Sequence, residues 1–109
     1  MFKSFIKILV ILLFVPQISF SADKYESGKQ KSQICAACHG PDGNSANKMY
    51  PRLAGQYKSY LINSLNSYKN GKRKNAIMSG FVANLSDQDI EEIATYYSKQ
   101  KGLGILPTN

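Results

Sequence analysis

Apolar residues recur along the chain at the three- and four-residue spacing of amphipathic helices. The clearest case begins after Ser86, a residue type that caps helix N-termini, and its first turn carries Asp87 and Asp89, whose charge suits that end. Lys99 and Lys101 place the opposite charge at the other end. The apolar stripe consists of Ile90, Ile93, Ala94 and Tyr97. This pattern predicts a helix that runs from Ser86 to about Lys101.

Two earlier segments also have helical spacing. One runs from about residue 24 to Cys38, with Gly28 on or near its apolar side. The other runs from about Gln56 to Lys69, and the following Gly71 can end it in a left-handed conformation. Its stripe consists of Tyr57, Leu61, Leu65 and Tyr68. Because no β-branched apolar run marks a buried strand, we expect an all-α fold with three main helices.

The segments between these helices are long. Residues 40–55 and 71–85 are rich in Gly, Asn, Ser and Pro and show no regular spacing. Loops of about 15 residues are uncommon in a compact domain unless they serve a site. We therefore expect both loops to wrap around a bound group.

The first residues have the pattern of a secretory signal peptide. Lys3 and Lys7 precede the apolar run of residues 8–15, Pro16 breaks this run, and the sequence Ser-Phe-Ser at residues 19–21 offers a small-x-small cleavage pattern. We expect a signal peptide over residues 1–21, cleaved after Ser21, and one exported, periplasmic domain over residues 22–109. An uncleaved signal acting as a membrane anchor is a less favoured alternative, because the run is shorter than the 18 or so residues needed to cross a bilayer.

The charge of the chain is positive and uneven. It has 14 Lys and Arg residues against 7 Asp and Glu residues, a net charge of +7. Four basic residues form a cluster, which we call the basic cluster: Lys69, Lys72, Arg73 and Lys74. Acidic residues follow shortly afterwards, so the charge is mixed, which favours docking on an acidic protein face over binding nucleic acid. A merely solvated surface is an equally acceptable interpretation.

The strongest chemical signal is the stretch CAACHG, which contains both cysteines and the only histidine of the chain: Cys35, Cys38 and His39. A thioredoxin-like dithiol would need a βαβ unit, and a zinc site would need further ligands. A plain disulfide would close a very small loop and leave the histidine unexplained. Covalent attachment of a haem uses all three residues, with two thiols for the vinyl groups and the imidazole for the iron, and we favour it.

The opposite face of the iron needs a different ligand, because His39 has no second histidine to pair with. Two methionines other than the start residue are present, Met49 and Met78. Met49 is close to His39 on the same loop and would reach the far face with difficulty, so we favour Met78. Two strong axial ligands leave no position for a substrate, which favours an electron carrier over an enzyme.

The order of motifs resembles the class I c-type cytochromes, and in particular the small bacterial ones similar to one half of the two-haem cytochrome c4. The similar stretches are CAACHG with PDGNS, YPRLAGQ at residues 50–56, SYKNGKRKN at 67–75, IMSG at 77–80 and LSDQDIEEIATYYS at 85–98. They span nearly all of residues 22–109, but only one haem motif is present.

This resemblance implies a cytochrome c fold around one covalently bound haem c. It implies that the Pro51 carbonyl accepts a hydrogen bond from His39, that Met78 is the axial methionine, and that Gly28 and Tyr96 lie where the first and last helices cross. It implies an electron carrier between redox proteins, such as membrane respiratory complexes with acidic docking faces. The alternative is a haem subunit of a larger dehydrogenase or terminal oxidase.

Overall fold

The computed structural model describes residues 10–17 and 20–102, and within them every regular element is an α-helix. The prediction of an all-α fold is therefore confirmed. Three helices of 12 residues, α1, α3 and α5, form the frame. Both α1 and α3 pack against α5, and α4 packs against α3. The five helices are α1 (Phe20–Lys31), α2 (Gln33–His39), α3 (Lys58–Lys69), α4 (Ala76–Val82) and α5 (Asp87–Ser98).

Helix α5 forms where its sequence predicts it. The Ser86 hydroxyl accepts a hydrogen bond from the Asp89 amide at 3.1 Å, and the Asp89 carboxylate accepts one from the Ser86 amide at 2.9 Å, which is a complete capping box. The predicted stripe is buried: Ile90, Ile93, Ala94 and Tyr97. The helix ends at Ser98, so Lys99 caps it and Lys101 lies beyond it, which makes the predicted helix slightly too long.

Helices α1 and α5 cross at Gly28. A Cβ atom at this glycine would lie 1.9 Å from the Glu92 carbonyl oxygen and 3.1 Å from the Tyr96 Cβ. Only a residue without a side chain allows this approach. The close crossing of Gly28 and Tyr96 implied by the resemblance is confirmed.

Buried polar contacts hold the same crossing. Glu92 is only 4% exposed. Its carboxylate accepts hydrogen bonds from Ser27 Oγ at 2.8 Å, from Gln88 Nε2 at 3.0 Å and from Lys31 Nζ. Lys31 Nζ also lies 2.6 Å from the Asp89 carboxylate. The Lys31 ammonium, with the Ser86 amide, lowers the pKa of Asp89 to about 2, and the same ammonium lowers the pKa of Glu92. Five side chains thus form one connected polar network at the crossing of α1 and α5.

Two other predictions of helix extent were wrong. The predicted helix from residue 24 to Cys38 is two helices, because the chain turns at Ser32. There the hydroxyl donates back to the Gly28 carbonyl, while the Ser32 carbonyl accepts the Cys35 amide at 2.9 Å. The helix predicted from Gln56 begins at residue 58, because the preceding tyrosine has extended backbone, with ψ 132°.

The segment over residues 71–85, predicted as irregular, contains α4. Asn75 caps this helix: its side chain accepts the Met78 amide at 3.0 Å. The helix has seven residues, too few to display a periodic stripe. Segment 40–55 has no helix or strand, as predicted.

The predicted stripe of α3 is only partly buried. Leu61 is in the core, Leu65 and Tyr68 are half-buried, and Tyr57 is 49% exposed. Tyr57 precedes the first helical residue, so its side chain leaves the face that packs against α5.

Of the predicted signal peptide, residues 10–17 have no regular structure and expose their side chains. Helix α1 begins at Phe20, within the predicted signal. Residues 1–9 and 18–19, which complete the predicted segment, lie outside the described residues. In the part of the chain that is described, no helix is long and apolar enough to span a bilayer.

Candidate functional site

Helix α2 presents the three residues of the CAACHG stretch. It follows the turn at Ser32 and ends at Gly40, whose φ of 86° is left-handed and favours glycine. Cys35 and Cys38 are three residues apart on this helix, so their side chains lie on neighbouring positions of one face. His39 is the last helical residue. A short helix thus carries two thiols and an imidazole within one turn.

The thiols do not resemble those of a redox dithiol. Both are free and half-buried, and burial, with a smaller effect of Cys38, raises the pKa of the Cys35 thiol to about 11. Reactive dithiols have thiol pKa values below the ordinary one. Over residues 10–17 and 20–102, no three His, Cys, Asp or Glu side chains are arranged to hold a metal ion by themselves. These observations disfavour the dithiol and zinc interpretations.

The imidazole of His39 is held from one side. This residue is 7% exposed, and its Nδ1 atom lies 2.8 Å from the carbonyl oxygen of Pro51. A carbonyl can only accept, so Nδ1 carries the proton and Nε2 keeps its lone pair for a metal. The Tyr50 ring approaches the imidazole edge-on, with 6.3 Å between centroids. This is the environment of a metal-binding histidine with a fixed tautomer.

Residues 40–55, which we call the Pro51 loop, are closed by backbone hydrogen bonds. The Gly43 carbonyl accepts the amides of Leu53 at 2.8 Å and Ala54 at 3.2 Å. Helix α5 holds both ends, because the Tyr96 hydroxyl donates to the Pro41 carbonyl at 2.7 Å and the Tyr97 carbonyl accepts the Gly55 amide at 3.0 Å. The loop is therefore fixed against the buried face of α5.

Ser45 is a residue to which the sequence assigned no role. It is 6% exposed, and its hydroxyl lies 2.9 Å from the carbonyl oxygen of Cys38 and 3.0 Å from that of Asn47. A serine in a Gly- and Asn-rich loop gives no sequence signal of this contact, because the contact depends on how the loop closes. Ser45 is the side chain that ties the loop to the end of α2.

The two methionines lie in different places. Met49 is 82% exposed and stands two residues before Pro51. Met78 is half-buried on α4, within residues 69–82, which we call the Met78 segment. The Ser79 hydroxyl donates to the Tyr68 carbonyl at 3.2 Å and so ties α4 to the end of α3. Among the described contacts none joins Met78 to His39, so the assignment of Met78 as a ligand stays a prediction.

The donor set on α2 fits a c-type haem. Two thiols at helical spacing match two neighbouring vinyl groups, and the adjacent imidazole offers Nε2 to the iron. A disulfide would involve only the thiols and would not account for the buried, oriented imidazole. The side chains on the described part of the chain therefore support the haem interpretation.

Comparisons with known proteins agree with this fit. The family model for cytochrome c matches residues 25–101. Cytochrome c4 of Pseudomonas aeruginosa is 42% identical over 93 residues, which is 85% of this chain and 46% of that protein. Cytochrome c-554(548) of Halomonas halodenitrificans is 44% identical over 78 residues, which is 69% of this chain and 94% of that protein.

A solved structure gives the same result. Reduced recombinant cytochrome c4 from Pseudomonas stutzeri superposes with a TM-score of 0.68 and 45% identity, over 72% of this chain and 46% of that one. The chain thus spans about half the length of the cytochrome c4 proteins it matches. It belongs to the cytochrome c family, as a class I c-type domain similar to one half of cytochrome c4, and its cofactor is covalently bound haem c.

Proposed function

We propose that this electron-transfer cytochrome is a periplasmic carrier of single electrons, with haem c bound through Cys35 and Cys38 and iron ligated by His39 and Met78. The observation that carries the proposal is the 2.8 Å contact between His39 Nδ1 and the Pro51 carbonyl. It gives the only histidine of the chain the tautomer and the orientation of a metal ligand. When bound, haem c supplies one-electron chemistry, and the residues around it orient the ligands and exclude water.

The Pro51 loop supports the choice of Met78 over Met49. Its Pro51 carbonyl contacts Nδ1, the imidazole atom on the side away from the metal-binding Nε2. Met49 stands two residues earlier in this same loop and is 82% exposed. Met78 comes from a separate segment, and the Asn75 cap fixes the backbone at its amide. We therefore expect Met78, and not Met49, to be the second ligand of the iron.

Ligation by two side chains leaves no position for a substrate at the iron, so we propose a carrier rather than an enzyme. The alternative is a haem c subunit or module of a larger oxidoreductase, such as a dehydrogenase or a terminal oxidase. The two differ in what the purified chain does alone: a carrier accepts and donates electrons as a free protein, and a subunit does so only when assembled.

The charges support docking on acidic faces of redox proteins, such as membrane respiratory complexes. In α5, the Glu91 carboxylate lies 2.9 Å from Lys24 Nζ and 3.3 Å from Lys58 Nζ, and Lys31 pairs with the two other carboxylates of the crossing. The basic cluster has no carboxylate partner among the residues that the structure describes. Its positive charge is therefore available to an acidic partner.

Export rests on the sequence pattern of residues 1–21. Cleavage after Ser21 would remove the first two residues of α1, which starts at Phe20, and would leave the crossing at Gly28 unchanged. The measurement is the mass of the mature protein and of its N-terminal peptide. A chain that still carries Lys3 would favour the anchored alternative.

Absorption spectra test the proposed ligand set. We expect the oxidised and reduced proteins to show thioether coordination, and the pigment to stay with the polypeptide through acidic organic extraction. Met78→Ala should open the iron to external ligands and lower its reduction potential, because a thioether favours the reduced metal. Met49→Ala is the matched control and should change neither property. Loss of the pigment on extraction would contradict covalent attachment of the haem. A Met78→Ala protein with the ligand binding and reduction potential of the wild type would contradict Met78 as the iron ligand.

A further inference from the structure

The Pro51 loop touches the end of α2 at two consecutive residues. Its Pro51 carbonyl contacts the His39 imidazole at 2.8 Å, and its Ser45 hydroxyl contacts the Cys38 carbonyl at 2.9 Å. The Cys38 carbonyl belongs to the peptide bond that joins Cys38 to His39. One contact therefore holds the side chain of the histidine and the other holds the backbone from which that side chain projects.

Ser45 also bonds to the loop residues that follow it in sequence. Its hydroxyl oxygen accepts the Asn47 amide at 3.2 Å, and the Asn47 carbonyl accepts the Tyr50 amide at 3.1 Å. These bonds shape the turn that leads from Ser45 to Pro51. A buried serine that bonds both to α2 and to this turn fixes the distance between them.

We propose that Ser45 is a positioning residue for His39, which sets how closely the Pro51 carbonyl approaches Nδ1. This inference rests on the proposed ligation of iron by His39. A close carbonyl makes the imidazole a more basic ligand, and a more basic ligand stabilises the oxidised metal. Ser45 thereby acts on the reduction potential through Pro51, without contact to the imidazole itself.

The bond geometry gives the expected direction of change. In Ser45→Ala the Cys38 carbonyl loses its described partner and the turn loses its anchor, so the Pro51 carbonyl is free to move away from Nδ1. The Nδ1 proton then exchanges faster with solvent, and the reduction potential rises because the imidazole becomes less basic. The loss of one hydrogen bond corresponds to an increase in exchange rate of up to about tenfold.

The experiment compares three holoprotein variants with the wild type. Ser45→Ala removes the hydroxyl, and Ser45→Thr retains it. Ser98→Ala is the matched control, because the Ser98 hydroxyl donates to the Thr95 carbonyl at 3.0 Å within α5, and no described bond joins this side chain to the loop. The readouts are the midpoint potential and, by NMR of the reduced protein, the exchange rate of the His39 Nδ1 proton. We expect Ser45→Ala alone to show a raised potential and faster exchange.

Three outcomes would overturn the inference. The first is a Ser45→Ala protein with the wild-type potential and exchange rate. The second is a Ser45→Thr protein as changed as Ser45→Ala, which would assign the effect to packing. The third needs no variant: exchange in the wild type as fast as in a solvent-exposed imidazole would show that the Pro51 contact is not maintained. Wild-type protein without covalent haem would instead contradict the proposed function, so the two failures are distinguishable.

Discussion

The Pro51 loop follows α2 and the Met78 segment continues from the end of α3 through α4, and the two are held very differently. In the Pro51 loop, buried polar groups are paired, and both ends are bonded to α5. In the Met78 segment, most side chains are exposed and three of the four cations of the basic cluster fall in a stretch without regular structure. The comparison indicates that hydrogen bonds tie the loop beside His39 to α5, whereas the Met78 segment presents a cluster of cations to solvent.

The polar contacts differ in kind as well. The Pro51 loop bonds to α2 and α5 through three buried residues, Ser45, Tyr96 and Tyr97. The Met78 segment uses exposed contacts, such as the Arg73 guanidinium 4.8 Å from the centre of the Tyr68 ring. Exposed contacts of this type contribute little to folding stability. We therefore expect substitutions in the loop to change stability and substitutions in the segment to change docking.

The largest expected effect on stability comes from a substitution at Gly43, and Gly71, a glycine with a similar φ, provides the comparison. Gly43 in the loop has φ 84°, and an added Cβ would lie 2.7 Å from the Ala54 amide nitrogen and 2.8 Å from Tyr97 Cδ1. Gly71 has φ 81° with no atom within 4 Å of such a Cβ. Left-handed backbone costs a residue with a side chain about 1 to 2 kcal/mol, and overpacking adds about 1 to 3 kcal/mol. We expect Gly43→Ala to lose about 2 to 5 kcal/mol of unfolding free energy.

Gly71→Ala is its control, and we expect a loss of about 1 kcal/mol, because the reduced freedom of the unfolded chain offsets part of the backbone cost. Denaturant unfolding of both variants measures the difference. Equal losses would show that the Pro51 loop is no more tightly packed than the turn after α3.

A smaller effect separates two neighbouring carboxylates on α5, the helix that holds the loop. Glu92→Gln removes a buried charge that accepts three hydrogen bonds, and we expect a loss of about 1 to 3 kcal/mol. Glu91→Gln removes an exposed pair with Lys24 and Lys58 and should lose much less, because solvent screens exposed ion pairs. Thermal unfolding at neutral pH compares them. If Glu91→Gln lost more stability than Glu92→Gln, burial would not explain how much these contacts stabilise the protein.

The parts of this structure that are visible in the sequence are those set by local interactions. The stripe of α5 and its capping box lie within 13 residues, so propensity, periodicity and charge all indicate the same helix. The CAACHG stretch is equally local, because helical spacing alone brings the thiols together. The crossing at Gly28 was accessible through the family resemblance.

The parts that sequence did not reveal depend on contacts distant in the chain. The turn at Ser32 is supported by the Tyr97 hydroxyl, 65 residues away and 3.4 Å from the Ser32 carbonyl. The role of Ser45 exists only once the loop has closed at Gly43. Helix α4 has a cap in Asn75 but is too short for a periodic signal.

Stability should also depend on pH, because carboxylates of α5 have lowered pKa values, as does Asp42 in the Pro51 loop. Bonds to Lys31 lower the pKa of Asp89 to about 2 and also lower that of Glu92. A carboxyl with a lowered folded-state pKa contributes stability that is fully present above its unfolded pKa of about 4 and is lost as the pH falls through the folded value. We expect wild-type stability to decline between pH 4 and about 2.

Asp89→Asn removes this contribution, because its side chain no longer titrates, whereas carboxylates that share no partner with Asp89 titrate alike in both proteins. The variant should be less stable than the wild type at pH 6, and the difference should shrink towards pH 2. The measurement is the midpoint of denaturant unfolding at several pH values. Parallel curves would show that Asp89 titrates alike in the folded and unfolded states.

The smallest expected effect on stability, and the most informative one on function, comes from the Met78 segment. Lys72 and Lys74 are exposed and have no carboxylate partner in the described part of the chain, so Lys72→Glu with Lys74→Glu should leave folding nearly unchanged. The pair should slow oxidation of the reduced protein by the hexacyanoferrate(III) anion by about tenfold at low ionic strength, because local charge steers association.

Lys29→Glu with Lys48→Glu is the matched control, since it changes the net charge equally on α1 and on the Pro51 loop. Rates of all three proteins should converge at about 1 M salt, where charges more than about 3 Å apart are screened. If both pairs slowed the reaction equally, the net charge of the protein would govern the rate. A larger effect of Lys72→Glu with Lys74→Glu would locate electron exit near the Met78 segment, where exposed cations suit transient docking better than the hydrogen-bonded Pro51 loop.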